Sequence, residues 1–171
     1  MKTFFILFAF FTVMLSACGD RPEPREQFSV PMRFTANTVG SDSQYSVNIT
    51  PDFCDIEFQS NGILGGATLH FEGKKSFAAV GEFTIPVEEN SFPAMKALIN
   101  AVRSLASTDV IGEEEQNGVK YTIDETLILV YYDKDTNKVI GIRTEELGRV
   151  FEFTLSDLEA YEAQSNGAGR P

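Results

Sequence analysis

The feature that most constrains the fold is an alternation of apolar and polar residues that recurs along most of the chain. A period of two with one apolar face is typical of antiparallel strands that are buried on one side only. Glycine, proline, asparagine and aspartate separate the alternating segments, as turns require. The pattern predicts strands over 28–35, 45–50, 54–59, 67–72, 77–85, 119–123, 127–132, 139–143 and 150–155. The segment 127–132 is apolar on both faces, which predicts a central strand covered on both sides.

One segment has a different period. Its apolar residues are spaced three and four apart, which places them on one stripe of a helix. Ser91 is suited to the N-cap and Pro93 to the first turn. The spacing therefore predicts one main helix over about 92–106 that packs on the sheet, through Met95, Leu98, Ile99, Val102 and Leu105.

Together these patterns predict an α+β fold that is mainly antiparallel β. We expect a curved sheet or open half-barrel with the helix packed on it, forming a single β-rich domain over 28–163. A short final turn is predicted over 157–161, and residues 164–171 read as a flexible tail. No internal repeat is evident.

The N-terminal residues have the layout of a secretory signal. Lys2 is the only charge before an unbroken apolar run from Phe4 to Leu15. That run is too short to span a membrane, which takes about 20 apolar residues. Small residues and a cysteine follow, in the order Leu15-Ser16-Ala17-Cys18.

This tetrapeptide resembles the lipobox of bacterial lipoproteins. The resemblance implies that residues 1–17 are a signal peptide, cleaved just before Cys18, and that Cys18 carries a diacylglyceryl group with fatty acids such as palmitate. Two acyl chains give stable anchoring where one gives only reversible binding. The alternative is an ordinary signal peptide followed by a chance cysteine. Residues 18–27 are polar and contain prolines, which predicts an extended tether between lipid and domain.

The predicted location is the outer side of a bacterial cell membrane, and the outer membrane is possible. An aspartate directly after the lipidated cysteine resembles a signal for inner-membrane retention, but Gly19 holds that place here. The chain has 25 acidic and 14 basic side chains, a net charge of −11. Such a charge argues against a nucleic-acid partner and against docking on anionic lipid, so the lipid on Cys18 is the predicted membrane contact.

The remaining chemistry-bearing residues have simpler structural interpretations. Cys54 has no cysteine partner once Cys18 is lipidated, and its neighbours suit a small buried apolar residue. His70 is the only histidine, which provides neither a metal cluster nor a triad. Asp133–Asn137 begins like a calcium loop, but Lys138 replaces the required glycine, so we interpret it as a hairpin turn. Glu113–Glu115 is interpreted as a solvated loop. We therefore predict no catalytic, cofactor or metal site.

The order of elements over about 28–155 is similar to that of the lipoprotein-carrier and periplasmic-sensor fold. The similarity rests on Phe34-Thr35-Ala36-Asn37 leading to Tyr45-Ser46-Val47, on the hairpin from Tyr132-Asp133 to Ile142, and on Val150-Phe151-Glu152-Phe153. It implies a curved antiparallel sheet around helices, with an apolar concave side that takes up acyl chains. The chain departs from that group in lacking a clear helix before its first strand. No binding residue is carried over.

Three functions follow from these patterns. The first is a non-catalytic binding module for an apolar ligand or lipid, suggested by aromatic-rich strands and one amphipathic helix. The second is an interaction or sensor domain that docks another envelope protein through its acidic face or a sheet edge. The third is a hydrolase that uses paired carboxylates brought together from distant parts of the chain.

Overall fold

The computed structural model describes residues 27–59, 64–88, 90–107, 109 and 111–161. The predicted signal peptide, the lipobox with Cys18 and the tail 164–171 lie outside these ranges. Within them eleven strands and the helix α1 (Pro93–Ser107) are defined. The strands are β1 (Met32–Thr38), β2 (Gln44–Ile49), β3 (Phe53–Phe58), β4 (Thr68–Glu72), β5 (Lys75–Val80), β6 (Phe83–Pro86), β7 (Glu113–Glu115), β8 (Gly118–Ile123), β9 (Thr126–Tyr132), β10 (Val139–Glu146) and β11 (Arg149–Ala160).

The strands form one open antiparallel sheet in the order β6-β5-β4-β3-β2-β1-β11-β10-β9-β8-β7. Strands β1 to β6 and β7 to β11 each follow one another as hairpins, and β11 returns to pair with β1 in the middle. The two edge strands, β6 and β7, are thus the ones that α1 connects. The predicted fold class, an α+β open half-barrel with one helix on a mainly antiparallel sheet, is confirmed.

Helix α1 packs against one face of the sheet, which we call the inner face. The predicted stripe is buried as expected, since Met95, Leu98, Ile99, Val102 and Leu105 all belong to the core. The helix contacts β10 and β11. Two side chains fix its position along the sheet. The ring of Phe92 contacts that of Phe58 on β3 (centroids 6.4 Å apart), and Arg103 donates a hydrogen bond to the carbonyl oxygen of Thr50. No helix in the described part of the chain is long and apolar enough to cross a membrane.

The first predicted strand and the fifth differ from the structure. Strand β1 begins at Met32, and Phe28 is fully buried although it precedes the strand. The segment 77–85 is not one strand, because the chain turns at Gly81 (φ 59°) and the two halves pair as β5 and β6. The turn shifts the alternation by one position, because the partners Val80 and Phe83 are three residues apart. Residues 77–80 are all apolar, so the shift left little trace in the pattern.

The solvated loop predicted at Glu113–Glu115 is wrong. These residues form the edge strand β7, which pairs with β8. Lys120 on β8 neutralises part of the charge, with its Nζ 2.7 Å from Glu113 Oε2 and 3.7 Å from Glu115 Oε1. That ion pair lowers the pKa of the Glu113 carboxyl and raises the pKa of Lys120.

The short final turn predicted over 157–161 is also wrong, because β11 continues to Ala160. The register with β1 shifts between Arg33 and Thr35, near Asp157 (φ 56°), and pairing then resumes. Such an extra residue in one strand is a bulge, and it hides the period of two. Strand β9 is an interior strand as expected, but Leu127 is half exposed on the outer face, so β9 is not covered on both sides.

The first described residue, Gln27, is hydrogen-bonded to the β-rich domain. The side-chain amide of Gln27 donates to the carbonyl oxygen of Asn137 at 2.9 Å and accepts from the backbone N–H of Val139 at 2.8 Å. The next residue, Phe28, is in the core. Gln27, the last residue of the predicted tether, is thus fixed to the turn between β9 and β10.

Candidate functional site

The inner face is covered over most of its width but not at the β6 edge. One row of side chains shows this, because cross-strand pairing places its members side by side. The row runs Phe34, Val47, Ile56, Leu69, Ala78, Ile85. The first four are at most 3% exposed, Ala78 is half-buried, and Ile85 is 57% exposed. The inner face is therefore buried as far as about β4 and exposed beyond it.

Three large apolar side chains at this edge form what we call the open strip: Val80, Phe83 and Ile85. Val80 and Phe83 are cross-strand partners on either side of the two-residue turn, and they are 48% and 75% exposed. Phe71 and Ala78 form the inner margin of the strip and pack against the core. An exposed apolar patch continuous with a core is a common mark of a binding surface.

The two edges of the sheet differ in charge. Strand β6 has the sequence Phe83-Thr84-Ile85-Pro86 and carries no charged side chain, whereas β7 consists of three glutamates. Charged edges resist pairing with other strands, and uncharged exposed ones favour it. Pro86 removes one backbone donor from β6, which shortens the pairing surface.

A cleft of about 490 Å³ lies at the C-terminal end of α1, against the turn between β2 and β3. Its walls combine apolar side chains, Val30, Pro51 and Ala106, with the guanidinium of Arg103. The Nη2 of Arg103 donates to the Thr50 carbonyl oxygen at 3.3 Å, while its Nε is buried and lacks a hydrogen-bond partner. This site could not be predicted from the sequence, because Arg103 has the position of an ordinary polar residue in an amphipathic helix.

Two other clefts, of about 670 and 580 Å³, flank the turn between β9 and β10. Both include Asp133, and they are bordered by the charged residues Lys138 and Lys134 respectively. Neither lies between the sheet and α1. They are therefore poorer candidates for an apolar ligand than the open strip.

The turn over Asp133–Asn137 is the predicted hairpin. The Asp133 carboxylate accepts hydrogen bonds from the backbone N–H groups of Asp135 (3.2 Å) and Thr136 (2.8 Å) and from the Thr136 hydroxyl (2.7 Å). These bonds lower the pKa of Asp133. The carboxylate thus stabilises the turn itself. Across the described ranges, no three His, Cys, Asp or Glu side chains are grouped to hold a metal ion.

The structural interpretation of Cys54 is confirmed. It is fully buried on the inner face, with cross-strand partners Ile49 and Phe71. Burial raises the pKa of its thiol to about 12, and the positive charge of Arg103 lowers that pKa only in part. A thiol that remains protonated is a poor nucleophile and a poor metal ligand.

His70 has a partner that the sequence could not reveal. Its Nδ1 lies 2.6 Å from Asp55 Oδ1, and its ring stacks on Phe53 with centroids 5.6 Å apart. Asp55 is paired with His70 by the register of β3 and β4, on the outer face. Within the described residues His70 is hydrogen-bonded to no hydroxyl or thiol, so the pair lacks the nucleophile of a triad.

No protein-family model matches the chain, and no curated protein matches it. Among solved structures, it is similar to an uncharacterized conserved protein from Thermus thermophilus, with a TM-score of 0.46 and 12% identity over 83% of this chain and 85% of that one. It is similar to a LolA superfamily protein from Nitrosomonas europaea, with a TM-score of 0.41 and 10% identity over 82% and 92%. A third is lipoprotein LppX from Mycobacterium tuberculosis, with a TM-score of 0.40 and 11% identity over 81% and 95%. Similarities this low transfer neither a residue nor a ligand to this chain.

Proposed function

We propose that the chain is an extracytoplasmic lipoprotein, anchored through lipid on Cys18, whose β-rich domain is a non-catalytic binding module for an apolar ligand. The open strip is the proposed binding surface. The observation that carries the proposal is the row from Phe34 to Ile85, in which core side chains continue without a break into exposed ones.

The strip is large enough to contribute usefully to binding. The exposed parts of Val80, Phe83 and Ile85 amount to roughly 250–300 Å² of apolar surface, using about 150–250 Å² for a whole aromatic side chain. Covering that area stabilises a complex by about 6–8 kcal/mol before the costs of association are subtracted. An acyl chain or a similarly flexible apolar group fits a surface of this shape, because it needs no matching polar contacts.

Binding can be tested with Nile red, an uncharged apolar dye, and the full chain in a Cys18→Ser background that removes the predicted lipid. We expect Phe83→Ser to weaken dye binding by about tenfold or more, because it removes the most exposed apolar side chain of the strip. Val150→Ser is the matched control, since Val150 is 55% exposed but lies on the outer face. Equal affinities for the parent and Phe83→Ser would refute binding at the strip.

The anchor has a separate test. Cys18→Ala removes the thiol on which the lipid is built, so the protein should be released from membranes or accumulate as an uncleaved precursor. The measurement is fractionation of cells followed by mass determination of the N-terminal peptide. A processed chain that stays on the membrane after this substitution would refute lipidation.

A second candidate function is docking of another envelope protein along β6. The uncharged edge strand favours it, because an added strand can bond to the exposed backbone groups there. Thr84→Lys should abolish recovery of a stoichiometric partner from membranes. Thr122→Lys, an exposed outer-face change on the interior strand β8, is the control. A partner recovered equally with both variants would exclude β6 as the docking edge.

A further inference from the structure

The cleft at the end of α1 contains a cation that the described residues leave without a counter-ion. Arg103 forms no ion pair with a described carboxylate, although the chain has 25 acidic side chains. Apart from the bond to the Thr50 carbonyl oxygen, its guanidinium makes no hydrogen bond to a described residue, and its Nε is buried. A buried donor without an acceptor destabilises a fold unless something else supplies the acceptor.

The guanidinium is suited to one class of ligand group. Its planar fork of N–H groups matches the oxygen atoms of a carboxylate or a phosphate, which can accept two parallel hydrogen bonds. Ser29 also lines the cleft, beside the apolar walls Val30, Pro51 and Ala106. Arg103 is half-buried, and partial removal from water strengthens an ionic hydrogen bond.

The cleft is close to the inner face that leads to the open strip. Arg103 reaches the end of β2 at Thr50, and its charge acts on the thiol of Cys54 on β3. Cys54 is the cross-strand partner of Phe71, at the margin of the strip. Neighbouring strands are about 4.8 Å apart and residues about 3.3 Å apart along a strand, so the open strip on β5 and β6 lies roughly 20 Å from the cation.

We infer that the cleft around Arg103 binds the carboxylate or phosphate of an anionic amphiphile, whose apolar part covers the open strip. The site for the anionic group is inferred from the geometry of Arg103 alone. The placement of the apolar part rests on the proposed function. Carboxylate and phosphate share the recognised chemistry, a compact anion with two or more acceptor oxygens.

The test compares four ligands on the full chain in the Cys18→Ser background: palmitate, hexadecyl phosphate, hexadecanol and inorganic phosphate. Displacement of Nile red is measured for the three amphiphiles, below their micelle concentrations, and calorimetry is used for phosphate. We expect both anionic amphiphiles to bind about tenfold or more tightly than hexadecanol, as a charged hydrogen-bonded pair would give. Arg103→Gln should remove that preference and leave hexadecanol affinity unchanged.

Two further variants make the result specific. Arg103→Lys keeps the charge but loses the fork, so it should retain only part of the preference. Arg143→Gln removes an exposed arginine of β10 and should change nothing. Far-UV circular dichroism and urea unfolding of each variant establish that a loss of binding is not a loss of fold.

The outcomes separate this inference from the proposed function. No preference for the anionic ligands, or a preference that survives Arg103→Gln, overturns the anion site. If inorganic phosphate binds in an Arg103-dependent way but no amphiphile does, the amphiphile inference and the proposed function are both overturned, and the cleft is a site for a free anion. If hexadecanol binds and is weakened by Phe83→Ser while Arg103→Gln has no effect on any ligand, the proposed function stands and the inference fails.

Discussion

Replacing Ile85 by alanine should destabilise the protein far less than replacing Leu69, although both lie in one row on the inner face. Leu69 is 1% exposed. Its truncation removes three buried carbons, worth about 0.8 kcal/mol each, and leaves a cavity, for a total of about 3–4 kcal/mol. Ile85 loses the same number of carbons but is 57% exposed. Less than half of the transfer free energy is lost and water fills the space, so we expect a destabilisation of about 1 kcal/mol.

The measurement is equilibrium unfolding in urea, followed by far-UV circular dichroism, with the slope m required to stay constant between variants. Ile85→Thr is the control for strand propensity, because threonine keeps the branched side chain but not its apolar character. It should change the free energy of unfolding by less than about 0.5 kcal/mol, as exposed substitutions do. A loss of about 3 kcal/mol for Ile85→Ala would show that the strip is covered in solution, and the reasoning that makes it a binding surface would be wrong.

Three further predictions concern single side chains. Cys54 should resist an alkylating reagent in the folded protein at pH 8 and react fully in urea, because burial raises the pKa of its thiol to about 12; rapid labelling of the native chain would contradict this. The pKa of Asp133 is lowered by folding from 3.8, so its contribution to stability is present above that value and is lost as the pH falls through the folded pKa. Asp133→Ala should therefore lower the urea midpoint at pH 7, with the difference vanishing at strongly acidic pH, whereas Asp135→Ala should have little effect at either pH. Leu147 has a φ of 52° beside Gly148 at 71°, a turn that favours Asn-Gly; Leu147→Asn should raise the free energy of unfolding by about 1 kcal/mol, and a destabilised variant would contradict the proposed strain.

The helix and most strands could be predicted because each has a periodic pattern of its own. Residues 95–105 repeat every three or four positions, and β2, β3 and β8 alternate without interruption. The pattern gave a wrong prediction in two places. In one, a turn left no visible break, and in the other an irregularity looked like the end of a strand. The turn at Gly81 shifts the alternation by one position, but the uniformly apolar residues 77–80 conceal the shift. The bulge near Asp157 interrupts the alternation of a strand that in fact continues.

Strand β7 could not be predicted, because its three glutamates have no apolar face. It is a strand because β8 supplies hydrogen bonds and Lys120 supplies a counter-charge. Both are properties of the partner, so they cannot be read from the segment alone.

The candidate site was beyond the sequence for a similar reason. Apolar residues at 80, 83 and 85 look like any others in a strand, and only the tertiary packing on the inner face decides which are covered. Arg103 and Thr50 are 53 positions apart, and Asp55 and His70 meet only through the register of β3 and β4. Cys18, in contrast, stands in a motif of adjacent residues, and it remains a prediction that the structure does not test.

The attachment of Gln27 to the turn between β9 and β10 has a mechanical consequence. With an anchor at Cys18, any force that pulls the body away from the membrane enters the fold at Gln27. Two hydrogen bonds to Asn137 and Val139 and the buried ring of Phe28 bear that load first. It then passes into β1, which lies in the middle of the sheet and shares it between the ladders to β2 and β11. Strand β6, where we place the binding surface, lies at the end of the sheet. With this anchor, we expect tension to reach the open strip last.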